Sequence, residues 1–167
     1  MAKILTGAEV NGILSECRAD GSLAEYTEGA ESFVQTPPAL GQGWARHIEL
    51  RPGLTLRVMD ITKHQTQVYK IQQHCPSMPL TFNYYLAGGC RVDNDGLAGA
   101  EEEIAGKSYL YRVPNTAEIE EYPAGKRICF FQIRVALELI HGFCDRIHEF
   151  PTKLRNTLEH PENTILY

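Results

Sequence analysis

The stretch that decides the fold is WARHIELRPGLTLRVMD, residues 44–60. Its side chains alternate with a period of two, so that one face of the first half carries Trp44, Arg46, Ile48 and Leu50. After the Pro52-Gly53 pair, Leu54, Leu56 and Val58 continue the same alternation. A period of two is that of a β-strand, and Pro-Gly is typical of a tight turn. The stretch therefore predicts a β-hairpin at the start of a sheet.

More strands are predicted downstream, at short intervals. They are LTFNYYLAGG (80–89), KSYLYRVPN (107–115), AEIEEYPAG (117–125) and KRICFFQIRV (126–135). Asn94-Asp95-Gly96 and Pro123-Ala124-Gly125 supply turns between them. Many short strands with regular turn signals predict a mainly β domain over 44–135, built as a barrel or jelly roll.

The pattern changes to a helical period at Ala136. An apolar stripe follows, formed by Ala136, Leu137, Leu139, Ile140, Phe143, Cys144, Ile147 and Phe150. Pro151 is a stop signal, and residues 152–160 have the composition of a short second helix. We expect residues 136–167 to form an amphipathic helix or helical hairpin and a tail. The apolar stripe has two possible roles: it forms a dimer surface, or it packs against the chain's own sheet.

The N-terminal 43 residues have their own pattern. Apolar residues at helical spacing predict a short helix over 8–18, and Asp20-Gly21 is a plausible end. From 25 to 43 the chain is polar and punctuated by Gly and Pro, which predicts an extended arm placed to lie over a pocket. We therefore expect one domain with appendages: an arm (1–43), a barrel (44–135) and a dimerisation helix with a tail (136–167).

Composition excludes several classes of protein. The chain has 167 residues, 43% of them apolar, with a formal net charge of −5, and no stripe of Lys and Arg typical of a nucleic-acid surface. It contains neither a signal peptide nor a long apolar run, so we expect a cytoplasmic protein with no membrane contact. Five cysteines without a C-x-x-C pair predict reduced thiols.

The sequence lacks the arrangements that catalysis would need. It has no H-x-H for a metal-dependent cupin enzyme and no G-x-S-x-G for a nucleophile. His64 and His74 bracket one segment and are the only pair placed to meet across a hairpin, so a metal enzyme is kept as an alternative. Glu101-Glu102-Glu103 is expected to be a solvated loop tip. We predict no catalytic residues, no metal site and no cofactor.

A binding pocket is the remaining candidate site. If the face of Trp44 and Arg46 points inward, an indole and a guanidinium meet at the barrel mouth, which suits an anionic or aromatic ligand. The alternative is that Trp44 caps the barrel end and Arg46 reaches solvent. The other predicted pocket residues are the strand aromatics Phe82, Tyr84, Tyr109 and Tyr111, although such residues are more often core.

Five segments of the chain resemble the N-terminal half of AraC-type transcriptional regulators, and most closely the pyochelin-regulator subgroup, which senses ferric siderophores. The segments are residues 43–58, 80–89, 109–115, 122–139 and 150–167. The resemblance implies a cupin-like barrel that binds an effector, an arm folded over the ligand, and a helical hairpin that makes a homodimer. It gives pocket roles to Trp44, Arg46, Tyr84 and Tyr111, and it implies a ligand that carries iron.

The resemblance also implies DNA binding through helix-turn-helix units in a C-terminal region. This chain ends before such units, so we expect DNA contact only through a region absent from it. The dimer surface implied by the resemblance is the helical stripe, namely Ala136, Leu137, Ile140, Phe143, Cys144 and Ile147. The leading hypothesis is a ligand-sensing and dimerisation domain. A stand-alone metal-dependent cupin enzyme and a ligand-free dimerisation module are the alternatives.

Overall fold

The computed structural model describes residues 2–72, 75, 78–143 and 146–160. In chain order the first strands and helix are β1 (Lys3–Thr6), α1 (Gly7–Ala19), β2 (Glu25–Glu28), β3 (Glu31–Gln35), β4 (Gln42–Arg51), β5 (Leu54–Thr62) and β6 (Gln67–Gln72). The next strands are β7 (Leu80–Ala87), β8 (Gly89–Asn94), β9 (Glu101–Ile104), β10 (Ser108–Tyr111), β11 (Ala117–Tyr122) and β12 (Arg127–Val135). The C-terminal part holds α2 (Leu137–Phe143), a 3-10 turn (Ile147–Glu149) and α3 (Thr152–Glu159).

The described strands form two sheets. Sheet A has five strands in the order β1-β6-β11-β8-β9, and sheet B has seven in the order β10-β7-β12-β5-β4-β3-β2. All neighbours pair antiparallel except β1 and β6, which are parallel. Two facing sheets with non-sequential neighbours make a jelly-roll-like sandwich, so the mainly β, cupin-like prediction is confirmed.

The predicted hairpin at 44–60 is present as β4 and β5. Ile48 lies opposite Leu56 and Arg46 opposite Val58, so the two apolar faces found in the sequence meet on the same side of sheet B. The Pro52-Gly53 turn connects the strands, with Gly53 at φ +80°, a value that a side chain disfavours. The sequence therefore predicted the pairing of these two strands.

The main core lies between the two sheets. Its buried members are Ile61, Tyr85, Cys90, Val92, Tyr122, Ile128 and Phe130, which come from both sheets. Tyr85 packs on Phe130 with ring centroids 5.3 Å apart. This core closes one part of the space between the sheets and leaves the rest open as a cavity.

The N-terminal segment belongs to both sheets. β1 pairs with β6, while β2 and β3 extend sheet B beyond β4. The helix predicted over 8–18 is found as α1, and it begins with a capping box in which Thr6 and Glu9 bond each other's backbone N–H. The predicted arm at 25–43 is thus partly a pair of strands.

The amphipathic helix or helical hairpin expected from Ala136 onward is present as two short helices, α2 and α3, rather than as one helix that runs to Phe150. The helix α2 ends at Phe143, and Arg146 has φ −129° and ψ 61°, which is not helical. The apolar stripe is shared among α2, the 3-10 turn and α3, which pack around one small core of Leu80, Leu137 and Leu158. The short second helix predicted at 152–160 is present as α3.

The prediction of a solvated loop at Glu101–Glu103 is wrong. These residues form β9, which pairs with β8 at the edge of sheet A, and the side chain of Glu103 is only 3% exposed. Glu102 and Glu103 point to opposite faces of the strand, and Glu103 is the one of the three carboxylates that is buried.

Candidate ligand cavity between the two sheets

A cavity of about 440 Å³ lies between the sheets and is lined by both. Sheet A contributes side chains from β6, β8, β9 and β11, and sheet B contributes side chains from β3, β4, β5, β7, β10 and β12. Its volume is within the range of small-molecule sites. The lining is mixed, with Tyr and Phe rings beside acidic, basic and amide groups.

Three carboxylates line the cavity: Glu103, Glu118 and Glu120. The two on β11 are adjacent positions of the same strand face, and Glu103 reaches the cavity from β9 on the far side of β8. The hydroxyl of Tyr122 donates a hydrogen bond to Glu120 Oε2 over 3.0 Å. Charged side chains are rarely buried unless they are paired or take part in function, so these three carboxylates are the main candidates for ligand contact.

Burial governs the protonation of this cluster. Burial, followed by the negative charges of Glu120 and Glu103, raises the pKa of Glu118 to about 8. Burial also raises the pKa of Glu120, against the effect of the hydrogen bond from Tyr122. Near neutral pH, Glu118 is therefore a carboxylic acid that can donate a proton as well as accept a hydrogen bond.

The sequence pattern of β11 is inverted relative to an ordinary strand. Glu118 is 8% exposed whereas Ile119, which points away from the cavity, is 42% exposed. A rule that places apolar residues inside assigns the faces of this strand the wrong way round. The signal that could have revealed the site was the spacing Glu118-x-Glu120-x-Tyr122, three polar side chains on one face of a predicted strand.

Basic groups line other parts of the cavity: Arg57, Lys63 and Arg134. Lys63 Nζ donates a hydrogen bond to Tyr69 Oη over 2.6 Å and lies 4.9 Å from the centroid of that ring. Burial lowers the pKa of Lys63 to about 8. The lysine is held against aromatic faces at one end of the cavity.

Two cavity side chains have polar atoms with no hydrogen-bond partner in the described part of the chain. These atoms are Asn83 Oδ1 and Arg134 Nε. The amide of Asn83 is oriented by its Nδ2, which donates to Glu103 Oε2 over 3.3 Å. Asn94 Oδ1, in contact with Glu118, is also without a partner among the described residues. Buried polar atoms of this kind are normally satisfied, and a ligand is one way to satisfy them.

The arm and the N-terminal helix cover part of the cavity. Val10 and Leu14 of α1 contribute to its lining, as do Thr36, Pro37 and Leu40 from the loop between β3 and β4. The expectation that the arm lies over a pocket is met by this geometry. A ligand in the cavity would therefore touch two segments outside the 44–135 barrel.

Of the aromatic residues predicted to bind ligand, Tyr111 lines the cavity, where Gln132 Nε2 donates to its hydroxyl over 3.0 Å. Tyr109 instead packs edge-on against Tyr85, with centroids 6.1 Å apart, and its hydroxyl donates to the carbonyl of Glu102. Phe82 and Tyr84 lie on the opposite face of β7 and pack against Phe131.

Trp44 and Arg46 lie on the outer face of sheet B, so an inward direction for this face is contradicted. Ala45, between them, is the residue that lines the cavity. Trp44 stacks on Phe33 with centroids 6.2 Å apart, and Arg46 Nε donates to Glu31 Oε1 over 2.8 Å. The neighbouring strand β3 supplies both partners on this outer face.

The predicted dimer residues are partly used within the chain. Leu137 is buried against Leu80 and Leu158, and Ile140 and Ile147 pack on the same cluster while remaining partly exposed. Ala136 begins this region, with its Cβ about 3.0 Å from where a Cβ on Gly53 would lie. Cys144 and the side chain of Phe143 lie outside the described part of the chain.

Only one histidine of the pair considered for a metal lies in the described part of the chain. His64 is exposed and is not part of the cavity lining, and His74 lies outside the described part. Among the described residues, no three His, Cys, Asp or Glu side chains are close enough together to hold a metal ion. Cys17, Cys75, Cys90 and Cys129 form no disulfide bond among the described residues.

The fold and the cavity define a cupin-like jelly-roll domain with an internal pocket. Residues 41–166 match the family described as the regulatory protein PchR N-terminal domain, and the chain belongs to this family. No curated protein matches the sequence significantly. None of the described helices is long and apolar enough to cross a membrane.

Several solved structures are similar in chain path. A cupin protein from Bacteroides fragilis is 16% identical with a TM-score of 0.40, covering 53% of this chain and 70% of that one. A Cupin 2 conserved barrel domain protein from Salinispora arenicola is 10% identical with a TM-score of 0.44, covering 65% and 87%. An HTH_3 family transcriptional regulator from Vibrio cholerae is 16% identical with a TM-score of 0.39, covering 55% and 50%.

Proposed function

We propose that this chain is the effector-sensing domain of an AraC-type transcriptional regulator, and that the effector binds in the cavity between the sheets without being chemically changed. The observation that carries the proposal is the cavity itself, whose buried polar atoms include unpartnered ones within the described residues. Membership in a family of regulatory N-terminal domains supports the same function.

The covering segments supply a route from ligand to regulation. Since α1 and the loop at 36–41 contribute to the lining, a ligand contacts the barrel and the arm at once. A ligand shifts an equilibrium only if it binds one state better than the other, and contacts that depend on the closed arm provide that difference. A ferric siderophore is the specific effector that the resemblance to the pyochelin-regulator type favours. In this proposal DNA is bound by a separate region of the regulator, and the regulator acts in the cytoplasm.

The effector site is tested by filling the cavity. Ala45→Phe places a ring in the cavity, whereas Val58→Phe places the same ring on the outer face of the neighbouring strand. A panel of small molecules, including ferric siderophores and their iron-free forms, is titrated into each protein while the Tm and Trp44 fluorescence are followed. We expect a ligand that binds the wild type and Val58→Phe but not Ala45→Phe. Equal binding to both variants would place the effector elsewhere.

The proposal includes a homodimer formed through the C-terminal helical region. Ile140 and Ile147 pack against the Leu80 cluster but remain partly exposed. Their exposed apolar surface supports a contact with a second copy of the chain at this place. Sedimentation of the wild type should give a dimer, and Ile147→Asp should give a folded monomer. A wild-type protein that stays monomeric at high concentration would contradict the dimer and leave the effector site untouched.

A further inference from the structure

The deep part of the cavity is rich in hydrogen-bond acceptors. Glu103 and Glu118 are almost fully buried there, and Asn83, itself only 3% exposed, lies beside Glu103. Because Asn83 Nδ2 donates to Glu103, the amide oxygen is the atom left without a partner among the described residues. One amide oxygen and two carboxyl groups of the cavity lining are therefore placed to receive donors.

The basic side chains do not cancel this acceptor surface. Lys63 Nζ is held by the Tyr69 hydroxyl and by the faces of the Tyr69 and Tyr122 rings, which lie 4.9 and 5.6 Å away. Arg57 is exposed and its guanidinium reaches the sulfur of Met59. Arg134 Nε, by contrast, is a donor of the cavity lining without a partner among the described residues.

We infer that the effector carries a protonated nitrogen, bound by Glu118, Glu103 and the amide oxygen of Asn83, together with an acceptor group that meets Arg134. This inference rests on the proposed function and names the chemistry of its ligand. A bare metal ion fits less well, since among the described residues no three His, Cys, Asp or Glu side chains are grouped so that they could hold one. An ammonium or amidinium group has several N–H donors and spans a wider gap.

The protonation state of Glu118 allows binding of a cationic ligand to be measured as proton release. The titratable and polar groups around Glu118 come from every strand packed near it: Glu120 on its own strand, Glu103 on β9, Asn94 on β8, Tyr111 on β10 and Arg134 on β12. Arg57 and Lys63 act on Glu120 from the β5 side. Burial raises the pKa of this carboxyl to about 8, so at pH 7 it is mostly neutral. A cationic ligand favours the ionised form, and binding at pH 7 should release close to one proton, about the fraction that a pKa of 8 leaves bound.

Three matched probes separate charge from shape. Tyramine carries an ammonium group, 3-(4-hydroxyphenyl)propionate carries a carboxylate, and 4-ethylphenol is neutral, while all three share a phenol whose oxygen can accept from Arg134. Calorimetric titration at pH 7 in two buffers of different ionisation enthalpy gives both the affinity and the number of protons released. We expect tyramine to bind at least ~10-fold more tightly than the other two, with proton release, as charge-assisted hydrogen bonds require.

Glu118→Gln is the test variant, and it should lower tyramine affinity ~10-fold or more and abolish proton release. Gln resembles the neutral carboxyl, so the fold is expected to survive, and an unchanged cooperative melt verifies this. Glu121→Gln on the other face of β11 is the matched control and should bind as the wild type does. Equal losses in both variants would overturn the role of Glu118.

Tighter binding of the propionate or of the neutral phenol would overturn the inference and leave the proposed function standing. The same holds if no probe binds while another member of the effector panel is lost in Ala45→Phe. If neither the three probes nor the panel bind, both the inference and the proposed function are contradicted.

Discussion

Lys63 Nζ donates a hydrogen bond to Tyr69 Oη over 2.6 Å, and Tyr69 Oη donates in turn to Gln67 Oε1 over 2.6 Å. The chain of bonds fixes a cation in a position that is only 4% exposed. Burial lowers the pKa of Lys63 to about 8 and raises the pKa of Tyr69 to about 12. A titratable group whose pKa is shifted this far by burial is more typical of a binding site than of a protein core.

Lys63→Met should therefore stabilise the domain. A lysine whose pKa falls from 10.5 to about 8 on folding destabilises the native state below pH 8 by about 3 kcal/mol. The variant also loses the hydrogen bond to Tyr69, which costs about 1 kcal/mol. We expect a net gain of roughly 2 kcal/mol in unfolding free energy at pH 7. Because the native lysine is neutral above its folded pKa, the gain should shrink as pH rises from 8 to 10.5. Urea unfolding at several pH values measures this, and a variant less stable than the wild type at pH 7 would contradict it.

Glu118→Gln should stabilise the domain with the opposite pH dependence. The raised pKa means that the native carboxyl holds its proton between pH 4.5 and about 8 while the unfolded one has lost it, so wild-type stability falls across this window. The variant should be more stable by roughly 2 kcal/mol at pH 7, with no difference near pH 4. Thermal unfolding from pH 4 to 8 measures the gap. Glu121→Gln is the control, and a gap of the same size in that variant would contradict the assignment.

Close packing of two strands places Glu103 in the cavity. A Cβ on Gly89 would overlap the carbonyl oxygen of Glu103, whereas a Cβ on Gly12 in α1 would meet nothing within 4 Å. Gly89→Ala should thus displace β9 and lower stability by about 2 kcal/mol or more, whereas Gly12→Ala should be neutral or add up to about 1. Chemical denaturation compares the two alanines. A neutral effect of Gly89→Ala would mean that β9 is not held against β8 as described.

The C-terminal helical region should be part of the folded core. Leu137 is buried against Leu80 and Leu158, so Leu137→Ala is expected to cost about 2 to 4 kcal/mol. Leu50→Ala, at an exposed position of β4, removes the same atoms and should change little. The measurement is denaturant unfolding at a fixed protein concentration. Wild-type stability of Leu137→Ala, with dissociation of an oligomer, would show instead that this leucine serves the dimer.

The sequence predicted the elements that depend on local signals. The 44–60 hairpin, the Pro-Gly and Pro-Ala-Gly turns and the helix at 8–18 follow from alternation, turn residues and helix spacing, and each is present. The C-terminal region was predicted only as one helix or a helical hairpin, because an apolar stripe does not say whether a neighbouring core or a partner receives it. In the structure α2 ends at Phe143, and α2 and α3 pack around Leu80 together.

The sequence predicted less of the cavity, because which face of a strand lines the cavity depends on how the two sheets pack together. The rule that large apolar residues point inward selected Trp44 and the aromatic face of β7, but those side chains lie on the outer face of sheet B, where Trp44 stacks on Phe33. The cavity is lined instead by Glu118, Glu120 and Glu103, which sequence rules place in solvent. Only Tyr111 of the six predicted pocket residues lines it.

Hydrogen exchange tests the central claim, that an effector occupies the cavity beneath the arm, most directly. Backbone exchange is measured by mass spectrometry with and without a saturating ligand from the panel. The account predicts slower exchange in α1, in the loop at 36–41 and in β11, with no change in β2, which lies at the far edge of sheet B. Protection confined to β2, β3 and the outer face around Trp44, with α1 and β11 unchanged, would contradict it.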